Sequence, residues 1–298
     1  MPVCFLGIRL SSISLSLSLS LSHMNYDLKP NDLTDVDNLP LTIHRIVETF
    51  KFAFAERSSL GDEDFWNVTE IVTKLTSFNY AKSIKHKIND KKTYGIQYYH
   101  PHFANTEDHG TAHMNVLGPD GSAVSITSTL NHAFGSKICG RKTDICFNNE
   151  MDDFSSPHAV NYFGLPPSEA NFIKHGKRPM SSMSPIIIVN QKGEVLAVLG
   201  GSGGTKITTA VAYVAVNLLW LGNNAKQAVD ALRIHDQLFP PRTLIEPPFP
   251  QNVVDELKLM GHNLTEYGFR SKVHCIHRKD NFVYANVDFR RGGDPAGF

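Results

Sequence analysis

Gly110 and Thr111 are the residues of this chain whose order most suggests chemistry. In the stretch DHGTAH, Asp108 to His113, a hinge-like glycine stands directly before a threonine that starts an alternating run. As plain structure this is a turn leading into a hairpin. As chemistry it is a peptide bond that the chain cuts itself. Scission would leave Thr111 with a free α-amine beside its own hydroxyl. Such an amine has an ordinary pKa of about 7.7–8 and acts as a base near neutral pH. One residue then supplies both nucleophile and base, and no histidine is required.

Three further stretches carry groups that a substrate could use. NNEMDDF, Asn148 to Phe154, places Glu150 and Asp153 three apart, on one face of a helical turn. Two acids beside amides suit a ligand ammonium group; an acid/base pair for glycoside cleavage and an exposed acidic turn are the alternatives. PMSSMSP sets Ser181 and Ser182 before a strand, where hydroxyls and N–H groups suit a carboxylate; an ordinary serine-rich loop is the other reading. GGSGGTK, Gly200 to Lys206, fails as a phosphate loop because the order is Gly-Thr-Lys. It matches GxSxG literally, which makes Ser202 a rival nucleophile. It also suits an oxyanion hole built from glycine N–H groups at a strand-to-helix turn, or a plain turn. His100, His102, His109 and His113 cluster in sequence without HExxH spacing, and no metal is expected there.

Composition narrows the partners. The 298 residues balance 29 Lys+Arg against 29 Asp+Glu, so charge gives no case for nucleic acid. KSIKHKINDKK, Lys82 to Lys92, reads as a solvated helix face. Of four cysteines, Cys139 and Cys146 are spaced to close a small loop in an oxidising compartment or to remain thiols; no Cys/His metal spacing occurs. Asn67 and Asn263 head glycosylation sequons. Residues 1–23 alternate leucine with serine and lack a clean apolar run. They read as low-complexity sequence outside the fold, with a weak signal sequence as the alternative.

The elements that must position these groups follow from periodicity. Ile43, Ile46, Val47, Phe50 and Phe54 predict a helix that ends at Ser58-Ser59-Leu60-Gly61, and a second helical stretch covers 68–88. Residues 93–110 lack a period and read as a long loop. Alternation predicts hairpins around GPDG and NQKG and a third at the end of the chain. Helices are expected over 206–221, 224–233 and 252–260. The first of these is too short and too polar at Asn217 to span a membrane. Hairpins and helices in this order predict an α+β fold with antiparallel sheets.

HRIVETFKFAFAERSSLGD, GTAHMNVLGPDGSAVSITSTLNHAFGSK, NNEMDDFSSP, PMSSMSP, GGSGGTKITTA and RRGGDPAGF together resemble the γ-glutamyltransferase (glutathione hydrolase) family, in family order from about Leu28 to the last residue. The resemblance implies an N-terminal-nucleophile hydrolase with a four-layer αββα sandwich, here without the N-terminal part. Residues 1–27 would lie outside it, 28–110 would be the helical end of the large subunit with the cleavage loop, and 111–298 the small, catalytic subunit. It implies autocleavage of a precursor at Gly110-Thr111 into a large/small subunit heterodimer, with Thr111 as nucleophile. Thr129 matches the threonine that orients it. Asn131, Glu150 and Asp153 match binders of the α-amino group, Ser181 and Ser182 binders of the α-carboxylate, and Gly203 and Gly204 the oxyanion glycines. Substrates would be glutathione and other γ-glutamyl compounds, with water, amino acids or dipeptides as acceptors and no cofactor. The family sits at the plasma membrane facing outward. An arginine that pairs with the substrate carboxylate would lie in the part not present, and Ala133 stands where mammalian members carry tyrosine. Two other functions compete with this reading. One is a non-catalytic chain that binds or regulates a full-length relative; the other is a serine hydrolase using Ser202.

Overall fold

The computed structural model describes residues 4–6, 35–103, 110–157, 166–268 and 271–298. Asp108, His109 and most of the opening segment lie outside the described residues.

Helix α1, Leu39–Arg57, begins with Pro40 in its first turn, where a missing N–H costs nothing. Its apolar residues Ile43, Ile46, Val47 and Phe50 enter the main core. Phe52 and Phe54 enter a second cluster. The helix is buried nearly all round, so its polar side chains must be paired inside the protein. The stretch expected as one helix over 68–88 forms two, α2 (Thr69–Leu75) and α3 (Phe78–Lys85). Ser77 separates them by accepting a hydrogen bond from the Tyr80 N–H as an N-cap. Within the loop 93–110, Ile96–Tyr99 forms a 3₁₀ turn whose Tyr99 is buried.

Three hairpins stand where alternation predicts them. Strands β2 (Ala112–Leu117) and β3 (Ala123–Ser128) flank GPDG. Strands β4 (Ile186–Val189) and β5 (Val195–Ser202) flank NQKG. Strands β9 (Lys272–Lys279) and β10 (Phe282–Asn286) form the last. A five-stranded antiparallel sheet runs β1-β4-β5-β9-β10, with Cys4–Leu6 as β1 on its edge. A smaller sheet that alternation does not reveal holds β6 (Ile234–His235), β7 (Thr243–Ile245) and β8 (Leu264–Glu266), with β7 and β8 parallel. Strands this short carry no readable period.

Helix α4, Lys206–Leu219, is buried along its length and packs on the large sheet. Helices α5 (Ala225–Asp230) and α6 (Gln251–Leu259) complete that layer. The β2-β3 hairpin crosses the other face of the sheet. Its inward side chains are polar: Asn115 Nδ2 donates to the Val198 and His274 carbonyls at 3.2 and 2.9 Å, and Ser125 Oγ to the Leu199 carbonyl at 2.9 Å. The His113 ring occupies the space a Cβ at Gly200 would need. Its outward residues Met114, Val116, Val124 and Ile126 are apolar and 45–58% exposed. Helices, sheet and hairpin thus make three successive layers, and the apolar outer face lies where a fourth would pack.

The terminal motif is anchored by charge. Arg290 pairs with Glu246 at 2.5 Å and Asp288 at 3.0 Å, and Asp288 also holds the fully buried Arg233 at 2.9 Å. Among the described residues, no helix is long and apolar enough to cross a membrane.

Candidate active site

Gly110 is glycine for two reasons visible in the backbone. Its φ is +83°, in the left-handed region, and a Cβ there would lie 2.6 Å from the Asn131 carbonyl oxygen. Its own carbonyl accepts a hydrogen bond from the Thr129 hydroxyl. That hydroxyl oxygen in turn accepts the Asn131 N–H at 2.8 Å. Thr129 is thereby aimed by the backbone that follows it, and it grips the carbonyl of the Gly110–Thr111 bond. Thr111 is half-buried and enters β2, whose Ala112 pairs with Ser128.

Asn131 also has left-handed backbone, at φ +69°, and is 2% exposed. Its Nδ2 donates to the Asn149 carbonyl at 3.1 Å. Asn149 returns two bonds, with its N–H on the Leu130 carbonyl at 3.2 Å and its Oδ1 accepting the His132 N–H at 3.0 Å. These bonds tie the Thr129–Asn131 strand end to the root of the acidic motif. Glu150 and Asp153 begin and end one 3₁₀ turn, so they share a face as their spacing predicts.

An open cavity of about 950 Å³ brings Thr129, Glu150 and Ser181 together. Ser182 is fully buried behind Ser181, and its hydroxyl accepts Arg57 Nη2 at 2.8 Å. Arg57 lines the same cavity from the last turn of α1. The sequence does not mark it, because a basic residue in a last helical turn reads as a partner of the helix dipole. Arg178 lines the wall beside it, and its guanidinium is bound by Asp62 at 2.6 Å. The Arg178 hydrogen bonds hold the Asp62 carboxyl down at about 2.

Gly203 and Gly204 form the left-handed turn between β5 and α4, at φ +133° and +65°. A side chain at Gly203 would meet the Ser271 backbone at 2.6 Å. Ser202 closes β5 in an antiparallel sheet and is 3% exposed. An α/β-hydrolase elbow needs a parallel sheet around that turn.

Among the described residues, His100, His102 and His113 do not form a ligand set; His109 lies outside the described residues. His113 Nδ1 bonds Thr127 and its Nε2 bonds Asn115, both at 2.8 Å, and burial holds its pKa at about 4. His102 is exposed. Among the described residues a different group, His44, Glu48 and His262, has metal-ligand composition. Its hydrogen bonds account for it without an ion. His44 Nε2 donates to the Asn89 carbonyl at 2.8 Å, so its Nδ1 accepts from His262 Nε2 at 2.7 Å. His262 Nδ1 is then left to accept from Lys51 at 3.3 Å. The ammonium supplies the positive charge, and Glu48 holds it at 3.0 Å.

A family model described as gamma-glutamyltranspeptidase matches residues 5–298. The chain is 45% identical to Scoloptoxin SSD14 of Scolopendra dehaani over 89% of its own length and 46% of that protein. It is 43% identical to Glutathione hydrolase 2 of Arabidopsis thaliana, over 87% of its length and 48% of that protein. A crystal structure of a Helicobacter pylori gamma-glutamyltranspeptidase mutant superimposes with a TM-score of 0.56 at 36% identity, covering 60% of this chain and 98% of that one. The α+β fold is that of N-terminal-nucleophile hydrolases. Within that class, the chain belongs to the gamma-glutamyltranspeptidase family. It spans about half the length of the curated relatives it matches.

Proposed function

We propose that Thr111 is the nucleophile of a γ-glutamyl transfer and hydrolysis reaction, released by scission of the Gly110–Thr111 bond. The observation that carries this reading is the Thr129 hydroxyl on the Gly110 carbonyl, beside a cavity that also presents Arg57, Glu150 and Ser181. A donor on that oxygen draws electron density from the carbonyl carbon and offsets the charge that develops when Thr111 Oγ attacks it. The C–N bond breaks, the nitrogen takes up the proton, and Gly110 is left as an ester on the threonine oxygen. Water hydrolyses the ester. The products are a Gly110 carboxylate and a Thr111 that bears a free amine.

The freed amine then accepts the hydroxyl proton as Thr111 attacks the γ-carbonyl of glutathione or a related amide. Gly203 and Gly204 offer backbone N–H groups to the oxyanion. A γ-glutamyl ester forms and the amine product departs with a proton. Water, an amino acid or a dipeptide resolves the ester. Asn131, Glu150 and Asp153 hold the substrate ammonium; Ser181 and Ser182 take the carboxylate. Arg57 adds a guanidinium to the Ser182 side, and its fork geometry suits a carboxylate. In the whole protein the two fragments stay together as a heterodimer, and the apolar outer face of the hairpin is the surface a further layer would cover. The sequon asparagines Asn67 and Asn263 are both exposed, as an outward-facing, glycosylated location requires.

Turnover of a chromogenic γ-glutamyl anilide tests the assignment. Thr111→Ala is expected to lower release by at least about a thousandfold. Ser202→Ala is expected to stay within about twofold of the parent. The reverse pattern would transfer the chemistry to Ser202.

A further inference from the structure

The arm between Asn131 and Asn149 carries two cysteines that this reaction does not use. Cys139 and Cys146 face each other as an isolated antiparallel bridge. The neighbouring hydrogen bonds define what kind of pair they are. Phe147 N–H donates to the Ile138 carbonyl at 3.0 Å, and Gly140 N–H donates to the Ile145 carbonyl at 3.0 Å. Those two bonds bracket the cysteines, which makes them a non-hydrogen-bonded pair. In such a pair the Cα atoms lie about 4.5 Å apart. A disulfide spans roughly 4.4–6.8 Å between Cα atoms, so a pair of this kind is within reach of one.

Both residues are free thiols, Cys139 exposed and Cys146 half-buried. The Cys146 thiol beside it is the main cause raising the Cys139 pKa. Cys275 is their opposite. It is buried in β9, and burial alone pushes its thiol up to about 12.

We propose that Cys139 and Cys146 form a reversible cross-strand disulfide, a redox modification site that staples the arm joining Asn131 to Asn149 and Glu150. The oxidant is a small disulfide of the glutathione type. One cysteine loses its proton to solvent and attacks this disulfide. A mixed disulfide forms, and one small thiolate leaves and is protonated. The second cysteine, likewise deprotonated, attacks the protein sulfur of the mixed disulfide, and the second small thiol leaves. The chain gives up two hydrogens, and the small disulfide becomes two thiols. Exposure of Cys139 leaves the bond accessible to small thiols. Hydrogen bonds that join Leu130, Asn131 and His132 to Asn149 tie the two sides at the root of the arm, and Ser136 N–H donates to the Phe147 carbonyl at 2.9 Å further out. A covalent link near its tip restricts their opening. The consequence for substrate binding rests on the proposed role of Thr111; the disulfide does not.

The test uses the full chain carrying Thr111→Ala and Cys4→Ser, equilibrated with glutathione disulfide, alkylated and mapped by mass spectrometry without reduction. The expected product is a peptide linked between Cys139 and Cys146, lost on adding dithiothreitol, with Cys275 unmodified. With Cys139→Ser added, oxidation stops at a glutathione adduct on Cys146. Two free thiols after oxidation, two separate glutathione adducts, or linkage to Cys275 would overturn the proposal. Hydrogen exchange over residues 130–149 is expected to slow about tenfold in the oxidised form. Unchanged exchange would remove the stapling role. Neither readout needs turnover, so failure of the Thr111 reading and failure of the disulfide are seen separately.

Discussion

Two polar clusters in this chain are built in opposite ways. Around α1, His44, Glu48, Lys51, Thr93, Tyr99 and His262 bond one another, and the cavity that Lys51, Thr93, Tyr99 and His262 border is only about 150 Å³. Glu48 alone accepts from Lys51 at 3.0 Å, Thr93 at 2.6 Å and Tyr99 at 2.8 Å. Burial, with Lys51 nearby, keeps His262 neutral at about 2, and burial also lowers His44. Around Thr129 the pattern reverses. Arg57, Glu150 and Ser181 border about 950 Å³ of open volume, and Asn131 Oδ1 is buried without a partner among the described residues. A closed network specifies a fold. Polar groups that border open space retain the capacity to bind. This contrast is why we propose the chemistry at the second cluster, although the first has the more metal-like composition.

The largest effect should come from opening the closed cluster. Lys51→Met leaves the Glu48 carboxylate buried without its cation, and breaking such a pair costs about 3–5 kcal/mol. Thermal unfolding should show the loss, while the refolded fraction keeps its specific activity. Equal stability with lost activity would place the chemistry at α1 instead. Gly110→Ala acts on the open cluster. A side chain in left-handed backbone against the Asn131 carbonyl should slow fragment formation by about ten- to a hundredfold. Unaltered processing on a gel would detach scission from this geometry. Arg57→Lys keeps the charge and loses the fork. KM for a γ-glutamyl anilide should rise about tenfold with kcat within about twofold, as expected when uniform substrate binding is lost. An unchanged KM would remove Arg57 from the carboxylate side.

The smallest effect concerns pH. The Asp62 carboxyl is lowered from 3.8 to about 2, so its Arg178 contact contributes stability above pH 3.8 and loses it as pH falls through about 2. Asp62→Asn should flatten the acid limb of the stability curve in that window and leave its shape near neutrality unchanged. An identical acid limb would show that the pair does not tie the loop before Ser181 to the end of α1.

Much of this architecture is legible in the residues because burial imposes a period. Alternation marks the three hairpins, and the spacing of Ile43, Ile46, Val47 and Phe50 marks α1. The break at Ser77 is a single capping hydrogen bond, which periodicity does not register. The β6-β7-β8 sheet is invisible for want of length. Glu150 and Asp153 are readable through local spacing, since a turn fixes it. The meeting of Arg57 with Ser182 is not, because 125 residues separate them and only the packing of α1 joins them. His44 and His262 are hidden for the same reason, 218 residues apart.

The central claim is that Thr111 acquires its amine by scission of the bond that Thr129 grips. Intact mass and N-terminal sequencing of folded, active protein test it most directly. The account predicts two fragments, the smaller beginning at Thr111, with anilide turnover rising in step with their formation. A chain that stays whole at Gly110–Thr111 while consuming γ-glutamyl amides would contradict it.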